Sequence, residues 1–246
     1  MQLPVYFISD IHLLLDRSDQ EKQRQEKLFR FFEKIADTKG TLIIVGDLFD
    51  FYFEYKHVVP KVYFSFYQKL YHLKNSNVEI HFITGNHDHW VLDFMEKTLA
   101  NYVYKEDSAL TINGKNFYLT HGDGIMSWDR GYRFLKSILR HRLFIWLYRW
   151  VHPTIGYGIA HAISKRGRHY EHSEEYNEKV LGELRVFAET ISADGFDFII
   201  TGHYHQATIE NVKGAKLVVL GDWIKYFSYG FFDGNDFKLK FWEPNA

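Results

Sequence analysis

An α/β fold is predicted by three features of this 246-residue sequence. Short apolar runs rich in β-branched and aromatic residues recur at 4–9, 41–45, 78–84 and 196–201. Segments with helical spacing separate the first three runs. Each run also stops abruptly on a polar cluster. Strand–helix–strand alternation of this kind favours parallel strands joined by helical crossovers.

The elements follow in order. "PVYFIS" (4–9) is the first strand and ends at Asp10. The polar segment 18–38 sets Leu28, Phe31, Phe32 and Ile35 at helical spacing. "TLIIV" (41–45) is a second strand ending at Gly46-Asp47, residues 60–74 read as a helix, and "VEIHFIT" (78–84) is a third strand ending at Gly85-Asn86-His87. From about 101 the rhythm changes. "ALTINGKNFYLTHG" places Asn113-Gly114 between two β-like runs, a hairpin signal. Residues 129–193 are largely helical in pattern, "FDFIITGHYH" (196–205) is again a strand, and the tail reads as short strands between Gly-rich turns. The expectation is one domain over 1–246, with a helical cap inserted at 127–193.

Composition narrows the function. With 46% hydrophobic and 25% charged residues the chain can bury a substantial core, and 18% aromatics suggests large packed faces or a site for an apolar ligand. A net charge of −1 supplies no global attraction to nucleic acid, so no nucleic-acid partner is expected. The absence of cysteine removes disulfides, thiolate metal sites and cysteine nucleophiles together, and it fits a reducing compartment. The start lacks a signal-peptide pattern, and no run approaches the roughly 18 apolar residues of a membrane span. A soluble cytoplasmic protein is expected.

The strand ends carry the chemistry. Asp10-Ile11-His12 follows the first strand, Gly46-Asp47 the second and Gly85-Asn86-His87-Asp88 the third. Thr120-His121-Gly122-Asp123 follows "NFYL", and Gly202-His203-Tyr204-His205 follows "FDFII". In open α/β sheets ligands bind beyond the carboxyl ends of the strands. Singly, an Asp-x-His or a Gly-Asp is often only a turn. Five such ends, all offering oxygen and imidazole donors, suit a pair of divalent cations such as Mn²⁺, Fe²⁺ or Zn²⁺. Side chains of these types are costly to bury unpartnered, so "GNHD" reads as a ligand loop.

The ordered set Asp-x-His, Gly-Asp, Gly-Asn-His-Asp, His-Gly, Gly-His-x-His resembles the calcineurin-like metallophosphoesterase superfamily from residue 5 to about 205. The resemblance implies a four-layer fold, a two-sheet β-sandwich flanked by helices, with a two-metal centre on one edge. It implies that Asp10, His12 and His205 hold the first metal, that Asn86, His121 and His203 hold the second, and that Asp47 bridges them. Mn²⁺ is the expected ion, with Fe²⁺ and Zn²⁺ compatible. Two such cations would clamp a phosphoryl group and activate a water. The neutral Asn86 gives an oxygen without adding charge that opposes phosphate. The family pattern puts His87 near the leaving-group oxygen, with Asp88 orienting it; support of the ligand loop is the other reading of both.

"THGDGIMSWDRGY", the helical insertion behind it and "VVLGDW" (218–223) further resemble the UDP-2,3-diacylglucosamine pyrophosphatases of lipid A synthesis. That likeness implies attack at the α-phosphate of UDP-2,3-diacylglucosamine, giving UMP and 2,3-diacylglucosamine 1-phosphate, with Asp129 and Tyr132 at positions that contact substrate. Ser164, Lys165 and Arg168 in "ISKRGRHYEH" are further candidates for the pyrophosphate or sugar, and a solvated basic loop is the alternative. In 129–150, Phe134, Leu135, Ile138 and Leu139 share one helical face, opposite Arg133, Lys136 and Arg140. A basic amphipathic helix of this kind suits a membrane interface or an acyl-chain cleft, which would place the protein peripherally on the cytoplasmic face of the inner membrane. Two positions depart from that group: His87 stands where Arg is expected, and Ile224 where His is expected. Arg offers a permanent bidentate phosphate contact that His does not. Another phosphodiester or a phosphomonoester therefore stays open as substrate. A non-enzymatic scaffold would be expected to have damaged ligand positions, and all seven here are of the right type.

Overall fold

A computed structural model describes residues 1–16, 18–167 and 173–242. Two sheets face each other. In the first, β1 (Val5–Ile8), β2 (Thr41–Val45), β3 (Glu79–Ile83) and β4 (Tyr102–Tyr104) run parallel in that order. Two antiparallel strands extend the β1 side, given below with the tail. The second sheet begins with the hairpin of β5 (Ser108–Ile112) and β6 (Lys115–Thr120). Its turn uses Asn113 and Gly114 at φ 48° and 77°, the left-handed pair that a two-residue hairpin loop requires. β7 (Phe198–Thr201) pairs parallel with β6, β9 (Ala215–Leu220) parallel with β7, and β8 (Ala207–Val212) antiparallel with β9. The tail then returns to the first sheet as β10 (Ser228–Phe232), paired with β1, and β11 (Phe237–Phe241).

Strand alternation sorts the side chains into layers. Val5, Phe7, Ile43 and Val45 point inward to meet Phe117, Leu119, Phe198 and Ile200 of the second sheet. The intervening Tyr6, Ile8, Leu42 and Ile44 point outward and are covered by α1 (Asp19–Thr38) and α2 (Phe64–Asn75) through Leu28, Phe31, Phe32, Ile35, Phe66 and Leu70. α1 starts at Ser18, whose hydroxyl accepts the Glu21 amide, a side-chain N-cap. α6 (Glu174–Ala193) covers the outer face of the second sheet, with Val180, Leu181, Leu184 and Ala188 against Ile199, Leu217 and Val219. The result is helix, sheet, sheet, helix: a four-layer sandwich.

The helical region 127–193 divides in two. α6 is one of the four layers. α3 (Arg130–Leu139), α4 (Arg142–Tyr148) and α5 (Pro153–Gly167) lie over the ligand-bearing side, and α3 and α4 contain no buried residue. Their anchors are few. Leu139, Ile145, Tyr148 and Tyr157 pack on Phe53, Tyr55 and Trp90, the Trp90 indole donates to the Leu139 carbonyl at 3.0 Å, and the Tyr157 hydroxyl donates to the Phe53 carbonyl at 2.5 Å. Among the described residues, no helix is long and apolar enough to cross a membrane.

Candidate metal centre

The parallel strands β1, β2 and β3 deliver their carboxyl ends to one edge, and so do β6 and β7. Register puts Ile8 beside Ile44, Val45 beside Ile83 and Thr120 beside Thr201, so the five loops that follow start at matched heights. The backbone there is unusual. Asp10, His12, Asp47, His203 and His205 all adopt positive φ, between 45° and 67°. Each such non-glycine residue costs of order 1–3 kcal/mol and persists only where its surroundings hold it. Here the Asp10 amide donates to the Gly46 carbonyl at 3.2 Å and the His12 amide to the Asp47 carbonyl at 2.9 Å. The His203 amide donates to Asp10 Oδ2 and the His87 amide to Asp47 Oδ1, both at 2.9 Å. Gly85 has to be glycine, because a Cβ there would collide with the Asp47 carboxylate and amide.

These bonds leave one oxygen of each carboxylate facing the histidines. Asp47 Oδ2 lies 3.2 Å from His121 Nε2, 3.6 Å from His12 Nε2 and 3.9 Å from His87 Nε2. Asp10 Oδ1 lies 3.7 Å from both His12 Nε2 and His205 Nε2. Three groups of donor atoms result, each within 4.8 Å of one another: Asp10, His12 and His205; His12, Asp47 and His87; Asp47, His121 and His203. The Asn86 amide oxygen joins the last, 3.0 Å from His121 Nε2. Asp47 alone among the carboxylates belongs to two of these groups. Three imidazoles are oriented from behind, which points Nε2 inward. His121 Nδ1 meets the Val45 carbonyl at 3.1 Å, His87 Nδ1 the Asp50 carbonyl at 2.6 Å, and His205 Nδ1 the Asp222 carboxylate at 3.2 Å.

The donors fit divalent cations. Asp10 Oδ1 and His12 Nε2 are buried with no hydrogen-bond partner, which is costly for polar atoms unless an ion satisfies them. The protein alone also demands positive charge here. Burial opposes ionisation of Asp10, yet His205 and His12 hold it down to about 2. Burial opposes protonation of His121 and His205, yet Asp47 raises the first to about 10 and Asp10 the second to about 9. Burial and the neighbouring His121 push His203 down to about 4, which keeps it a neutral donor. Protons held this firmly between carboxylates are what a cation would displace.

Sequence reading missed the side chains that hold this edge. Arg24 on α1 pairs with the buried Glu21 and donates to the carbonyls of Ile11 and His12, the latter at 2.7 Å. In sequence this is an ordinary i,i+3 pair on a polar helix. Asp222 accepts the amides of Ile224, Lys225 and Tyr226 while bracing His205, and only its place in "LGDW" hinted at a role. Asp88 is occupied by backbone: it accepts from Gly85 at 2.7 Å and Leu48 at 2.6 Å, and the His87 ring is met by Asp50. Burial and the charge of Asp47 push Asp88 up to about 7.

The expected substrate contacts are dispersed. Tyr132 donates its hydroxyl to Asp123 at 3.0 Å, with its ring 6.3 Å from that of His203. Asp129 stands at the start of α3 and makes no side-chain cap. Ser164 and Lys165 fall on α5, but their side chains lie outside the described portion, as does Arg168. Three of the four residues on the amphipathic helix's apolar face, Phe134, Leu135 and Ile138, are turned outward and exposed, while Leu139 packs inward against Phe53, Tyr55 and Trp90. The helix's cations are tied to the body, Arg133 to the Met126 carbonyl and both Lys136 and Arg140 to Asp123.

Residues 3–207 match the family described as calcineurin-like phosphoesterase. The chain is 33% identical to the UDP-2,3-diacylglucosamine hydrolase of Porphyromonas gingivalis, with 98% of each chain covered. It is 26% identical to the protein of that name in Aeromonas salmonicida, over 89% of this chain and 85% of that one. The Neisseria meningitidis serogroup B protein of the same name is 28% identical over 89% of this chain and 90% of its own.

Proposed function

Since the chain belongs to the calcineurin-like phosphoesterase family and is a metal-dependent phosphoester hydrolase, we propose that it cleaves the pyrophosphate of UDP-2,3-diacylglucosamine, releasing UMP and 2,3-diacylglucosamine 1-phosphate. The observation that carries this is the convergence of Asp10, His12, Asp47, Asn86, His121, His203 and His205 at one edge, beneath a cap whose apolar face is exposed. Asp10, His12 and His205 would hold one divalent cation, Asn86, His121 and His203 the other, and Asp47 both, with Mn²⁺ the expected ion. Bound there, the cations would neutralise phosphoryl charge and activate a water. His87, its ring fixed by the Asp50 carbonyl, would donate from Nε2 to the departing oxygen. Asp88 would act through the loops it ties together. Asp129 and Tyr132, with Ser164, Lys165 and Arg168, would contact the sugar and phosphates. The exposed Phe134, Leu135, Ile138, Trp146 and Trp150 would rest on the cytoplasmic face of the inner membrane, where such a lipid resides.

The test is UMP release from UDP-2,3-diacylglucosamine by the purified Mn²⁺-loaded protein, alongside p-nitrophenyl phosphate and bis(p-nitrophenyl) phosphate. Preference for the lipid substrate is expected. Turnover of the nitrophenyl esters with no UMP release would leave the hydrolase and remove the lipid assignment.

A further inference from the structure

Between α3 and the loop after β3 lies a cavity of about 80 Å³, lined by Asn86, His89, Trp90, Tyr132, Lys136 and Arg140 among others. It has room for a phosphate-sized group. It opens beside Asn86, on the flank of the centre where His121 and His203 also lie. Its charge is unbalanced. Lys136 Nζ sits 2.8 Å and Arg140 Nη2 3.2 Å from the same oxygen, Asp123 Oδ2, which also accepts the Tyr132 hydroxyl at 3.0 Å. Two permanent cations thus share one carboxylate, and the cluster retains a net positive charge. Among the described residues, no other acceptor meets the Arg140 guanidinium. A simple tie between cap and body would need one cation for one carboxylate. His87 of the ligand loop is not a permanent cation, and the fixed positive charge lining this cavity comes from Lys136 and Arg140.

We infer that Lys136 and Arg140 form a subsite for a second phosphoryl group, the one joined to the phosphorus under attack, and that the cap thereby selects phosphoanhydrides over simple esters. This deepens the proposed function and rests on reading Asn86, His121 and His203 as the phosphoryl-binding flank; it does not depend on the lipid. The Arg140 fork can take two oxygens of the neighbouring phosphoryl while Lys136 adds a point charge, both contacts being made in competition with Asp123.

The experiment is calorimetric titration of the Mn²⁺-saturated protein with methylenediphosphonate and with methylphosphonate. Wild type should bind the diphosphonate about tenfold more tightly or better. Lys136→Met and Arg140→Met should each erase most of that preference and leave methylphosphonate affinity within about twofold. Arg140→Lys should restore part of it. Asp123→Asn, which removes the competing carboxylate, should strengthen diphosphonate binding, an opposite sign that a folding defect cannot produce. Equal loss for both probes in the Met variants, or weaker diphosphonate binding in Asp123→Asn, would overturn the subsite. Failure of both probes to bind wild type would overturn the metal centre and the subsite together, whereas good binding without UMP release would remove only the lipid substrate.

Discussion

The ligand edge and the cap differ in what fixes them. The loops of the edge spring from strands that are buried at their carboxyl ends, and their left-handed residues are cross-braced by amides of neighbouring loops. The cap rests on one aromatic cluster and a few polar ties, and it turns large apolar side chains outward. A metal site needs donors held to tenths of an ångström, which a packed sandwich supplies. The amphipathic substrate of the proposed function would need exposed apolar area, which a core cannot give. The two regions answer different demands, and substitutions should separate them.

The largest separation is expected at Asp47. Its Oδ2 faces donors of both groups and its Oδ1 holds the His87 amide, so it cannot be replaced from elsewhere. Asp47→Asn should lower kcat by at least ~10³-fold, while circular dichroism stays that of the wild type, because β2 is fixed by apolar packing on both faces. Activity within tenfold of wild type would show that the edge does not carry the chemistry.

Next comes removal of the metals. At an ion concentration a hundred times Kd, chelation removes about 2.7 kcal/mol of stability for each ion bound, or a drop of about 5–10 °C in Tm per ion for a chain of this size. The metal-free protein should also acquire a pH slope. His121 and His205 titrate near 10 and 9 in the folded chain, above the ordinary value of 6.5. Their stabilisation is therefore complete below about 6.5 and is lost as pH rises through 9 to 10. In the loaded protein cations replace those protons and the slope should vanish. Thermal melts from pH 6 to 10 with and without chelator check this, and parallel curves would refute it.

Much of the edge was legible in sequence because each donor directly follows a strand, and a buried strand announces itself by composition. Asp10, Asp47, Asn86, His121 and His203 could thus be grouped from five separate stretches. The braces could not. Arg24 lies on a helix whose pattern says only that one face is solvated, and its use of the Ile11 and His12 carbonyls is a tertiary fact. Asp88 sits in the right motif, but which atoms it serves depends on the approach of the 46–49 loop. The cap was legible as amphipathic but not in orientation. Periodicity separates Phe134, Leu135 and Ile138 from Lys136 and Arg140 without saying which face turns inward. The partner that decides it, Asp123, arrives from the loop after β6.

That orientation yields the smallest effect on the fold and the sharpest contrast. Trp150 is 76% and Phe134 69% exposed, so replacing both with Ser should change stability by less than about 1 kcal/mol in total. If these side chains enter a bilayer, each contributes about 1.5–3 kcal/mol when fully buried, so the double variant should bind phosphatidylethanolamine–phosphatidylglycerol vesicles at least ~10-fold more weakly. Lys136 and Arg140 are paired with Asp123, so the vesicle affinity that remains should depend less on salt than that of a polybasic helix lying on an anionic surface. Vesicle sedimentation at low and high salt, beside thermal melts, measures all three. Loss of stability equal to the loss of binding would mean that the outward face is structural after all. Steep salt dependence would mean that the basic residues, not the aromatic ones, meet the lipid.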